Sequence, residues 1–66
     1  MNRIKPLHSV WGIDAEGEDV IYFSEGTVYE LGLSGHTHAD YYTVDDTGEK
    51  HHLSLGYIHA YFEVIE

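Results

Sequence analysis

Sixty-six residues confine this chain to one domain, 1–66, near the lower limit at which a core can be buried without staples. There is no cysteine, so neither a disulfide framework nor a thiolate metal site is available. Twelve acids against three bases give a formal charge of −9, which argues against direct nucleic-acid binding and against anionic membranes, since both need phosphate-neutralising Lys and Arg.

Arg3 and Lys5 lie near the N-terminus with no apolar signal-peptide core behind them. No apolar run approaches the ~20 residues needed to cross a bilayer. The expectation is a soluble, cytoplasmic protein.

In chain order, Leu7–Ile13 reads as a first strand, with Pro6 at its start, where a missing N–H does no harm. Asp14–Asp19 is a polar loop containing Gly17, and Val20–Phe23 is a short apolar run packing back on the core. Ser24-Glu25-Gly26 is a turn. Thr27–Leu31 follows as a strand with Tyr29 and Leu31 inward. Gly32–Ala39 is a loop of small residues carrying His36 and His38. Tyr41–Leu53 is the most strongly patterned stretch, two β-type runs joined by Asp45-Asp46-Thr47-Gly48. Aspartate opens such a turn by accepting backbone N–H groups just ahead, and Gly48 supplies the positive φ that closes it.

Alternation puts Tyr42 and Val44 on one face of this hairpin and Tyr41 and Thr43 on the other, with His51 and Leu53 opposed to Lys50 and His52. Leu55–Ala60 predicts one turn of 3₁₀ helix, and Tyr61–Ile65 a last strand with Phe62 and Val64 inward. Five short strands with turns between them, and no internal repeat, predict a small all-β barrel.

Three stretches carry a resemblance: Tyr22–Leu31, with Gly26 entering a strand that bears an inward Tyr29; Tyr42–Glu49, an acidic-Gly hairpin; and Tyr61–Glu66, a Phe-Glu terminal strand. Their order resembles the SH3-like barrels of small phage and bacterial proteins, over roughly Val20 to Glu66. The resemblance implies a five-stranded SH3-like barrel with a short 3₁₀ turn before the last strand, and an accessory protein of phage or prophage origin. The Ala-Leu-Tyr-Asp-Tyr stretch that builds the proline-peptide groove of signalling SH3 domains is absent, so polyproline recognition is not expected.

Three sets of side chains are candidates for function. The first is aromatic and acidic. Nine aromatic residues exceed what so small a barrel can bury. Tyr29, Tyr42, Phe62 and Trp11 are assigned inward, leaving Tyr22, Tyr41, Tyr57 and Tyr61 for a binding patch beside Asp40, Asp45, Asp46 and Glu49. Tyrosine brings large contact area at little rotamer cost, and acids beside it suit a basic partner protein. Together with Asp14, Glu16, Glu18 and Asp19, these acids could also mimic nucleic-acid phosphates on a host protein's basic groove. Asp14–Asp19 does not follow the EF-hand order for calcium.

The second set is His36, His38 and His52, the alternative reading as a zinc or nickel site. The third is catalytic: Ser24, Ser34 and Ser54 lack a nucleophile-elbow context, and no enzyme is expected. The function expected from sequence is therefore a non-enzymatic acidic protein-binding module, a modulator or inhibitor of a host protein. A homodimer through an open barrel edge or the excess aromatics is compatible with this reading, and a structural subunit of a phage assembly is a further alternative.

Overall fold

Two turns of the same chemistry shape the chain. In Asp14-Ala15-Glu16-Gly17-Glu18 and in Asp45-Asp46-Thr47-Gly48-Glu49, the aspartate N–H donates to the glutamate carbonyl four residues on, and its carbonyl accepts from the glycine N–H. In both, the aspartate Oδ1 accepts the N–H groups two and four residues ahead. Gly17 and Gly48 stand at φ +80° and +88°, where a Cβ would be strained. Each turn therefore closes an antiparallel hairpin with a one-residue bulge. The repeat escapes a search for sequence periodicity because only Asp, Gly and Glu are shared.

In this computed structural model, which describes residues 1–66, the elements run β1 (Arg3–Pro6), β2 (Val10–Ile13), β3 (Asp19–Phe23), β4 (Tyr29–Glu30), β5 (Gly32–Leu33), β6 (Tyr41–Val44), β7 (Lys50–Leu53), α1 (Leu55–Tyr61) and β8 (Phe62–Val64). They form three antiparallel sheets, β4-β1-β8, β2-β3 and β5-β6-β7. The architecture is mostly β, as expected. It has eight short strands rather than five, in three small sheets, none of them closed on itself.

The predicted first strand is divided. β1 ends at Pro6, which pairs with Phe62 of β8 after β4 has run out, so its missing N–H interrupts no ladder on the other side. The chain then turns and re-enters as β2. The predicted 3₁₀ turn is a seven-residue α-helix instead. Ser54 caps it, its Oγ accepting the Tyr57 N–H at 3.1 Å, and Asp40 Oδ2 takes the Leu55 N–H at 3.0 Å. These two side chains satisfy the free N–H groups that would otherwise make a Gly-containing segment too short to hold.

The core is Ile4, Phe23, Tyr29, Leu53, Ile58 and Phe62, drawn from β1, β3, β4, β7, α1 and β8. Phe23 is its hub, meeting Tyr29, Phe62 and His51 edge-on at centroid distances of 5.1, 5.4 and 5.2 Å.

Two inward assignments are reversed. On β6 the buried face carries Tyr41 and Thr43, not Tyr42 and Val44. Thr43 can lie inside because its hydroxyl donates to the Glu30 carbonyl at 2.7 Å. Tyr42 lies outside over Gly32, where a Cβ would come within 2.4 Å of its ring, and Lys50 Nζ sits 4.8 Å above the ring. β2 alternates without interruption, with Val10 and Gly12 inward and Trp11 62% and Ile13 67% exposed, while the register irregularity leaves Tyr22 of β3 as the extra residue of the pair. Phe62 is buried as expected, whereas Val64, also expected inward, is exposed at the end of β8.

Candidate protein-binding surface

The acids singled out from sequence divide sharply by what they touch. Asp45 is buried, so it is not presented to a partner. Its Oδ1 accepts from the Thr47 N–H at 2.8 Å, the Thr47 hydroxyl at 2.6 Å and the Glu49 N–H at 3.1 Å. Its Oδ2 has no aligned hydrogen bond and meets only the His51 imidazole, with Nε2 at 2.6 Å. Burial pushes this carboxyl up, but the bonds from Thr47 and Glu49 and the nearby His51 outweigh it and hold the pKa below the ordinary value.

Asp46 is also committed to the fold. Its Oδ1 accepts the Tyr29 hydroxyl and its Oδ2 the Ser24 hydroxyl, both at 2.6 Å, and the Ser24 N–H donates to the Tyr29 oxygen at 2.8 Å. Burial, then Asp46, raises the Tyr29 pKa. Asp40 tethers the helix start. Glu49 is exposed and its carboxylate carries no hydrogen bond or ion pair.

The tyrosines divide as well. Tyr22 is half-buried, its ring over Gly12 and 5.1 Å from the His51 ring. Tyr41 packs on the core. Tyr57 and Tyr61 are exposed, one helical turn apart on α1, with ring centroids 4.8 Å from each other. Burial, then Tyr61, raises the Tyr57 pKa.

These two rings and Ala60 form one wall of a groove of about 340 Å³, and Leu7, His8, Ser9 and Val10 form the other. The groove exists because the chain must leave β1 after Pro6, cross beside α1 and re-enter as β2. Its floor is predominantly apolar, and His8 stands at its rim 3.4 Å from Glu25.

The histidines form a smaller cluster. His36 and His52 stack at 3.8 Å between centroids, with Ser34 Oγ 2.7 Å from His52 Nδ1. Burial first, then His36, Lys50 and His51, lowers the His52 pKa. His38 does not join them, and no three His, Asp or Glu side chains gather where a metal could be held. Tyr42 and Lys50 complete this face.

Sequence alternation missed Trp11, Ile13 and Leu7 as surface groups, because large apolar side chains are placed inward by default.

Fold and surface together define a small, acidic, mostly β domain with an aromatic groove beside its single helix. No protein family, curated protein or solved structure matches the chain. No helix is long and apolar enough to cross a membrane.

Proposed function

We propose that this chain is a non-enzymatic protein-binding module that engages a basic partner through the groove between α1 and the β1–β2 connection. The observation that carries the reading is the Tyr57–Tyr61 pair, standing exposed over an apolar floor on a body of formal charge −9. Aromatic anchors beside an apolar groove supply contact energy, while the negative field favours Lys- and Arg-bearing partners and speeds their approach. Of the acids expected at the contact, Glu49 and the outer loop acids serve this field. Asp40, Asp45 and Asp46 serve the fold.

An SH3-like barrel of phage or prophage origin belongs to the same proposal. The barrel part of it is supported by β8 returning to pair with β1 after the β6–β7 hairpin and a short helix. Modulation or inhibition of a host protein is the form of binding this reading proposes.

The test is capture of a partner from lysate by wild-type protein and by the double variant Tyr57→Ser/Tyr61→Ser, at low and high salt. The reading expects one stoichiometric partner that salt releases and that the variant fails to hold. A partner retained equally by the variant removes the groove from the contact.

A further inference from the structure

β2 has no fully buried residue, and Trp11 and Ile13 are exposed. The strand has one ladder neighbour, β3, and its other edge is open. The Asp14 N–H donates across the hairpin to the Glu18 carbonyl. Antiparallel alternation then turns the Gly12 N–H and C=O toward β3 and those of Trp11 and Ile13 toward the open edge. The same two residues carry the side chains that are 62% and 67% exposed. Unpaired backbone and uncovered large apolar side chains therefore coincide at Trp11 and Ile13, a combination that native edges avoid by charge, bulge or cover.

We propose that this edge is an interface between two copies of the chain, paired antiparallel about a two-fold axis at Gly12. In that register Trp11 faces Ile13 of the second copy and Ile13 faces Trp11 of the second copy. Every outward backbone group of the strand is then used, in about four N–H···O bonds. Registers centred on Trp11 or on Ile13 use only part of them. Each Trp11 side chain covers an Ile13 across the junction, and two two-stranded sheets become one sheet of four strands. An isolated pair of strands gains most from such an extension. Gly12 suits the axis because it presents no side chain where the two backbones come closest.

Charge selects the same arrangement. Antiparallel pairing sends the two acidic turns to opposite ends of the junction. Asp14 of one copy falls opposite Val10 of the other, and Glu16 opposite His8, rather than acid against acid. Parallel pairing would stack Asp14, Glu16, Glu18 and Asp19 on their equivalents. Because each copy carries −9 overall, added salt should strengthen the association by screening what remains.

This inference stands apart from the groove at α1, and its test reads mass, not partner capture. Sedimentation equilibrium up to about 1 mM protein should show a monomer–dimer equilibrium. Trp11→Lys should weaken it at least about tenfold. So should Ile13→Pro, which deletes an outward N–H without touching the β2–β3 ladder. Leu33→Lys, at an exposed position on β5, should not weaken it.

The chain has no cysteine, so an equimolar mixture of the single variants Trp11→Cys and Ile13→Cys, each keeping one of the two apolar side chains, reports the register directly. Residues paired this way lie about 5.5 Å apart at Cα, within disulfide range. Mild oxidation should cross-link it at least about ten times faster than Leu33→Cys. A wild-type chain that stays monomeric throughout overturns the proposal. So does a dimer that survives both Trp11→Lys and Ile13→Pro, or one that dissociates as salt is raised.

Discussion

Asp45 shows how much one side chain decides in a domain of this size. Its carboxylate organises the β6–β7 turn through three donors and receives His51 from the opposite strand. Removing it leaves the Thr47 and Glu49 donors without their acceptor, at about 1.5–3 kcal/mol for each hydrogen bond to a charged group that is lost. Asp45→Ala is therefore expected to lose most of the stability of the fold in a chemical denaturation curve, whereas Asp46→Ala, at an exposed position, should lose less.

The sign of the pH effect follows from the same geometry. The folded state holds this carboxyl below its unfolded value, so its contribution is complete above about pH 4 and is lost as pH falls through the lower, folded value. Melting temperature should drop on acidification in that window, and Asp45→Asn should flatten the drop. An unchanged acid profile in that variant would mean that other carboxylates carry the transition.

At the scale of elements, the helix is the instructive case. Leu55–Tyr61 has a glycine, two tyrosines and no acid in its first turn, which is weak helical material. What holds it is Ser54 and Asp40 at its N-terminus and Ile58 in the core. Ser54→Ala should cost about 1 kcal/mol. It should also disturb Tyr57 and Tyr61, so its effect on partner capture should exceed its small effect on the melting curve. A variant with unaltered capture would place the helix outside the contact.

Of the two Asp-Gly turns, the one at Asp45–Gly48 is legible in the sequence because tyrosine, threonine and valine flank it in clear alternation. The same motif at Asp14–Glu18 hides among extra acids and reads only as a polar loop. The reversed face of β6 has a plain cause. Asp45 must point inward to close its turn and meet His51, and residues two and four before it, Thr43 and Tyr41, point the same way. Hydrophobicity favours Tyr42 and Val44 for burial, but turn geometry sets the register.

Across the whole molecule, three sheets and a helix share a core of only six residues. Phe23 touches the aromatic side chains from β4, β7 and β8, so it joins parts that no ladder joins. Phe23→Ala should cost about 3–5 kcal/mol, comparable with the total stability of a small domain, and leave the chain largely unfolded by circular dichroism. Phe62→Ala belongs to the same class.

Composition and local pattern by themselves determined the class of this protein. They specify one acidic, mostly β domain without cysteine, with a tight hairpin at Asp45–Gly48, Tyr29 and Phe62 inside, and Tyr57 and Tyr61 outside. Those features depend on neighbours within a few residues or on bulk charge, and both can be read along a line. The tertiary structure alone decided which face of β2 and β6 is buried, which acids are consumed by the fold, and that Trp11 and Ile13 stand in solvent beside an open edge. These depend on register across the sheets, where a shift of one residue exchanges inside for outside; even at β6, where the Asp45 turn sets the register, it is the contact with His51 across the hairpin that turns Asp45 inward.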